Sequence, residues 1–291
     1  MVKIAFHDNI LCERGTTVSL YDYAYYNKHY LKNESIIIYQ NSDKNVEDVI
    51  KKFNKEFTLY SYDNWNSVDY ILQTEKCDIL YMQKSGEWDY KKSSYCKNII
   101  HCVFNTQDYS NTVFGKISDS FGDNCSTVPY MVNIPDINTN IREFLNIPEN
   151  AFVFGRYGGY DQFDIEYVHS TIDILSEQYP DIYFLFANTQ KFCKPKNNII
   201  HLEKIINLEK KTEFINSCDV MIHARKMGET FGASIAEFSS RNKPILTCNS
   251  GDRAHLDILK DNCFIYKDAS SLYNIMIYLS NNKLGLLQKN W

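Results

Sequence analysis

A chain of 291 residues with 44% hydrophobic and 23% charged side chains has enough apolar material for one large packed domain or two modest ones, which excludes bulk disorder. Its net charge of −5 excludes nucleic acid as the main partner, because a phosphate backbone calls for a basic face. No run reaches the roughly 18–20 apolar residues of a membrane span, and nine scattered cysteines without a CxxC pair or a leader segment fit reduced thiols in a cytoplasmic setting.

The first half reads as strands near Val2–Phe6, Ser35–Tyr39, Phe57–Tyr60, Ile79–Met82, Ile99–Phe104 and Val128–Val132. Helical patterns at Thr16–Tyr30, Val46–Phe53 and Trp65–Thr74 lie between them. The strands are almost continuously apolar, as in a parallel sheet covered on both faces. Gly15 follows the first strand and precedes a helix that Thr16 or Thr17 can cap; it is a donor-binding glycine or a plain left-handed turn. No GxGxxG follows it, which disfavours a nicotinamide cofactor. His7 and His101 end or occupy strands and are either satisfied core groups or lie at a ligand site.

Residues Asn133–Pro148 carry two of the six prolines and read as a linker. The pattern then restarts. Strands are expected at Ala151–Phe154, Ile182–Phe186, Ile199–Leu202, Val220–His223, Ile245–Cys248 and Cys263–Tyr266. Helices are expected at Asp164–Gln178, Leu208–Ser217, Phe231–Arg241 and Ser270–Leu279. The expected organisation is two doubly wound α/β domains, 1–138 and 149–291, with a ligand site in the cleft between them.

The segment from Gly228 to Phe238 concentrates the chemistry. A helix beginning near Phe231 places Phe231, Ile235 and Phe238 on one face and Ala233, Ala236, Glu237 and Ser240 on the other. Amides of Thr230, Phe231 and Gly232 at its start suit a diphosphate. Glu229 can accept sugar hydroxyls and Glu237 both hydroxyls of a ribose. The alternatives are a carboxylate that merely complements the helix dipole and an ordinary solvated glutamate.

A Glu-x7-Glu pair spanning a Phe-Gly step, between a strand and a helix, resembles the signature of family 4 glycosyltransferases. Val220–Arg225, Asn242–Leu246, Ile147–Arg156 and Arg14–Thr16 resemble further parts of the same pattern. The resemblance implies a GT-B fold of two Rossmann-like domains, the first for the acceptor and the second for the donor. It implies a retaining, metal-independent transferase that moves a hexosyl-type sugar from a nucleoside-diphosphate sugar to a hydroxyl of a glycan or other acceptor. Glu229 would then touch the transferred sugar, Glu237 the ribose, and Gly228, Phe231 and Gly232 the donor through the backbone. Arg156 would hold the diphosphate, a task that suits a guanidinium fork. His101 would lie by the donor sugar, and Gly15 would form the glycine loop of the first domain.

One position departs from the pattern. Where the family has lysine, five residues after the arginine, this chain has Asp161. Arg225, Lys226 and Lys191 are the candidate replacements, and Gly158 and Gly159 can admit backbone amides to the phosphates. No Asp-x-Asp metal motif and no Cys/His cluster appears, so the donor substrate is expected to need no cofactor. Base recognition is expected at Leu202–Ile206. The alternatives are an epimerase or phosphorylase of the same fold, and a nucleotide-sugar-binding protein that lacks transferase activity.

Overall fold

The computed structural model describes residues 1–84, 89–104, 112–121 and 125–291, which include every candidate site residue. The chain divides into two compact units, Met1–Met131 and Val132–Trp291.

The first unit runs β1 (Lys3–Asp8), α1 (Gly15–His29), β2 (Glu34–Gln40), α2 (Glu47–Asn54), β3 (Thr58–Tyr62), α3 (Val68–Thr74), β4 (Ile79–Lys84), β5 (Lys97–Cys102), β6 (Val113–Lys116) and β7 (Ser126–Thr127). All seven strands are parallel, in the order β3-β2-β1-β4-β5-β6-β7. Ala5, Ile36, Ile38, Leu80, Met82 and Ile100 pack with Val68 and Leu72 of α3. The expected strand at Val128–Val132 does not form. Val128 donates one ladder bond to Lys116 O, 2.7 Å, and Pro129 then has no amide to continue the pairing. A one-turn 3-10 helix at Trp65–Ser67 precedes α3.

The second unit runs β8 (Phe152–Tyr157), α4 (Glu166–Gln178), β9 (Ile182–Ala187), β10 (Ile199–Leu202), α5 (Leu208–Ser217), β11 (Val220–Ile222), β12 (Gly228–Glu229), α6 (Ala233–Ser240), β13 (Ile245–Cys248), β14 (Asp252–Arg253), α7 (Ala254–Leu259), β15 (Cys263–Tyr266), α8 (Ala269–Asn281) and α9 (Lys283–Leu287). Its main sheet is parallel, in the order β10-β9-β8-β11-β13-β15. Alternation sorts its side chains between two cores. Phe152, Phe154, Phe184, Val220, Ile222 and Leu246 meet α4 and α8 on one face. Val153, Leu185, Met221 and Ile245 meet Phe214, Ile215, Ile235 and Phe238 of α5 and α6 on the other. Each unit is a doubly wound sheet whose strand order reverses beside its first strand, and in such sheets ligands bind outside the carboxyl ends of the strands at that reversal.

The segment read as a linker stays with the second unit. Ile134, Ile141, Leu145 and Ile147 pack on the α5–α6 core. Arg241 donates to Ile137 O at 2.7 Å and Asp136 at 2.8 Å, while Arg142 bonds Asp219 and Ser217 O, each at 2.8 Å.

Gly155 leaves no room for a side chain in this sheet. A Cβ there would lie 2.0 Å from Cys218 Sγ and 2.8 Å from Cys218 Cβ. Gly155→Ala should therefore cost about 1–3 kcal/mol through overpacking, measured by urea unfolding. Cys218→Ala in the same chain should recover part of the loss by removing the nearer clash.

Candidate functional site

The reversal point of the second sheet lies between β8 and β11. Arg156 lies near the carboxyl end of β8, and His223 follows β11 directly. Arg156 is 4% exposed and stacks on Phe163, with Cζ 5.5 Å from the ring. Its Nη2 donates to Gly159 O at 2.8 Å, and its Nη1 to Asn188 O at 3.3 Å and to the Thr189 hydroxyl. All of these partners are neutral. Burial pulls its pKa down to about 10, and Glu229 acts against that at longer range. Gly158 makes room for the guanidinium, because a Cβ would lie 2.8 Å from Arg156 Nη2. Asn188 Nδ2 donates to Gly158 O at 2.7 Å and ties the loop down.

Glu229 is held at both oxygens. His223 Nε2 lies 3.3 Å from Oε1, and Arg225 Nη1 donates to Oε2 at 3.0 Å. Burial opposes ionisation, but the His223 bond and charge and then Arg225 outweigh it, and the carboxyl stays below its ordinary range. A carboxylate offers about four lone-pair positions, so two remain for sugar hydroxyls. Backbone pairing places the residue: Gly228 and Glu229 form β12 and pair in parallel with Asp252 and Arg253 of β14. Gly228 is required there, since its φ is +67° and a Cβ would meet Asp252 O at 2.1 Å.

The helix of the motif begins two residues later than expected. Gly232 has φ 83° in the left-handed region and serves as N-cap, so α6 starts at Ala233. Phe231 turns inward at 8% exposure. With Ile235, Ala236, Ser239, His255, Ile258 and Leu259 it lines a cavity of about 130 Å³. Glu237 is buried rather than solvated. It is 7% exposed and pairs with Lys211 of α5 at 3.0 Å, and Lys211 Nζ also lies 5.2 Å from the Tyr157 ring. Thr230 is half-buried between β12 and α6.

Among the three candidate replacements for the expected lysine, Arg225 is mostly buried and bonded to Glu229. Lys226 is exposed, 3.9 Å from Glu166, and Lys191 and Asp161 are exposed as well. The loop at Leu202–Ile206 follows β10 without regular structure.

In the first unit, Gly15 is the first residue of α1, not a left-handed turn. Neither threonine caps that helix. Arg14 is the N-cap residue, and Thr17 Oγ1 donates to Asp8 Oδ2 at 2.6 Å. His7 is a satisfied core group, 2.8 Å from the Tyr62 hydroxyl, and burial lowers its pKa to about 3. His101 is 2% exposed at the carboxyl end of β5. Its Nδ1 lies 2.6 Å from the Tyr81 hydroxyl, and Tyr23 and Tyr130 flank the ring. Its Nε2 is buried without a hydrogen-bond partner among the described residues. Burial lowers its pKa to about 4, which keeps it a neutral imidazole.

The structure thus gathers Arg156, Gly158, Arg225, Gly228 and Glu229 at one sheet end, with Glu237 on the neighbouring helix. Sequence reasoning gave His223, Thr189 and Lys211 no role. A histidine directly after a strand and six residues before a motif glutamate was the one available signal.

No family model and no curated protein matches the chain. Solved structures match it along nearly its whole length. A glycosyltransferase from Rickettsia africae ESF-5 has a TM-score of 0.69 at 14% identity, over 99% of this chain and 94% of that one. Anabaena HepE in complex with UDP-glucose has 0.72 at 14%, over 100% and 93%. A putative UDP-N-acetylglucosamine 2-epimerase from Listeria monocytogenes has 0.64 at 11%, over 99% and 91%. At such identities the likeness is one of fold, and the fold of this chain is GT-B, built from two Rossmann-like domains.

Proposed function

We propose that the chain is a glycosyltransferase that moves a hexosyl-type sugar from a nucleoside-diphosphate sugar to an acceptor hydroxyl. Arg156 is the observation that carries this reading. A guanidinium buried at the reversal point of a Rossmann-like sheet, with only neutral groups as direct hydrogen-bond partners among the described residues, lacks a contacting anion there, and a diphosphate supplies one. Glu229 stands within its electrostatic reach, already ionised and with lone pairs to spare for sugar hydroxyls. The fold it shares with UDP-glucose-bound HepE supports the same donor class.

In this reading the second domain binds the donor, and Arg156 and Arg225 carry the negative charge of the departing diphosphate without a metal ion. Glu237 takes the ribose hydroxyls from the helix beside the diphosphate site. Gly228, Thr230, Phe231 and Gly232 border the donor through the backbone. The first domain takes a glycan or other hydroxyl acceptor, and Gly15, at the start of α1, borders the donor. The neutral His101 Nε2 is suited to receive the acceptor's proton. Retention of configuration follows the family resemblance, and the nine free thiols fit a reducing cytoplasm.

A thermal-melt screen across nucleoside diphosphates and nucleotide-sugars tests the reading. One donor should raise the melting temperature by several degrees, because a ligand that binds only the folded state stabilises it by mass action. Arg156→Met should abolish that shift. If no nucleotide or nucleotide-sugar moves the melting curve, the donor site is refuted. Labelled donor then separates the activities: product that requires an acceptor means transfer, product formed without one means epimerisation, and binding without turnover means a non-catalytic protein.

A further inference from the structure

The hydrogen bonds around Glu229 continue inward. His223 Nδ1 lies 2.8 Å from Thr247 Oγ1, and the same hydroxyl lies 3.1 Å from His255 Nε2. His223, Thr247 and His255 are 5%, 0% and 1% exposed. The chain of contacts therefore runs from Arg225 through Glu229, His223 and Thr247 to His255, joining the loop after β11 to β13 and α7.

The two imidazoles have centroids 5.1 Å apart. Two like charges at that separation inside a buried cluster repel strongly, so a single positive charge on the pair is favoured. His223 faces the Glu229 carboxylate, whereas His255 faces a hydroxyl. Burial, helped by the His223 charge, drives His255 down to about 4. Burial also works against a charged His223, but the Cys248 thiol and the Glu229 carboxylate beside it outweigh that and hold it above the ordinary histidine value.

A charged His223 donates from Nε2 to Glu229 and from Nδ1 to Thr247. A hydroxyl has one hydrogen, and Thr247 Oγ1 has two acceptors for it, His255 Nε2 at 3.1 Å and Cys248 O at 3.4 Å. His255 Nδ1 is buried without a hydrogen-bond partner among the described residues.

We propose that His223 is a positioning residue for the donor sugar: it locks Glu229 Oε1 while Arg225 locks Oε2, and Thr247 with His255 locks His223 in turn. The proposal rests on the transferase reading for its purpose but not for its geometry. The groups that face His223 are Glu229 and Arg225 from its own loop, Cys248 and Thr247 from β13, His255 from α7, and Tyr266 of β15, whose hydroxyl donates to His223 O at 2.7 Å.

Side-chain NMR titration of the seven histidines in the full chain, assigned with His223→Gln, tests the contact. His223 should titrate above the ordinary histidine value. Glu229→Gln should lower its pKa, and Cys248→Ser should lower it as well. If Cys248→Ser gives a shift and Glu229→Gln none, His223 belongs with the thiol and the proposal is overturned.

Donor kinetics test the consequence. His223→Ala should lower kcat/KM about tenfold, mainly in kcat, and should change the alkaline side of the pH profile. Thr247→Ser should retain activity and Thr247→Val should lose part of it. A His223→Ala chain with the wild-type profile and rate overturns the proposal. If the wild-type chain transfers no sugar, the titration still decides the contact, so the two failures are told apart.

Discussion

On the proposed function, Glu229→Gln should lower sugar transfer by about a hundredfold while the melting temperature moves by only a few degrees. The amide keeps the shape but offers one acceptor atom where the carboxylate offers two. Two donors, His223 Nε2 and Arg225 Nη1, converge on that group, so one bond is lost and the group turns or shifts. A displacement near 1 Å at a reacting centre costs on the order of a hundredfold. The fold is spared, because His223 can release its proton once its carboxylate is gone. Initial rates on the donor found by melting, with melts of both chains, check the result. Wild-type turnover in the variant would remove Glu229 from the reaction.

The same pair predicts a pH window. Glu229 has a lowered folded pKa, so its stabilising contribution is present above its unfolded value and lost as pH falls through the folded one. His223 has a raised folded pKa, so its contribution is complete below its unfolded value and lost as pH rises through the folded one. The pair therefore stabilises most between those two limits.

Glu237→Ala should be the most destabilising of the substitutions at the candidate site, by about 3 kcal/mol. The ion pair it makes with Lys211 is buried on both sides, with side chains 10% and 8% exposed, and its loss strands charge in a low-dielectric core. Lys211→Met combined with Glu237→Leu should restore most of the stability, since a matched apolar pair is often as stable as a buried ion pair. Urea midpoints of the two singles and the double give the coupling. A double variant no more stable than the singles would mean that the pair is not an energetic unit.

Local pattern made much of this fold legible. The spans Ile199–Leu202, Leu208–Ser217, Ile245–Cys248 and Cys263–Tyr266 are the same in sequence and structure, because apolar runs and helical spacing are properties of neighbouring residues. What stayed hidden depends on distant ones. The late start of α6 follows from a left-handed Gly232 and from pairing between Gly228 and Asp252. Arg156 meets Thr189 at 33 residues' separation, Lys211 meets Glu237 at 26, and His223 meets Thr247 at 24. No periodicity encodes such contacts. Segment 133–148 looked like a linker because its prolines and asparagines bar regular structure. Its four isoleucine and leucine anchors, together with Arg142, bind it to the second domain all the same.

Arg156 also bears on how long the protein survives in a cell. A desolvated guanidinium whose direct hydrogen-bond partners among the described residues are all neutral weakens the ligand-free fold, and an anion at that point relieves the burden. Ligand occupancy and resistance to unfolding are then one equilibrium seen from two sides. Proteases and chaperones act on the small unfolded fraction, so chains filled with donor spend less time within their reach. If the chain has the function proposed above, its standing amount would rise and fall with the supply of its nucleotide-sugar.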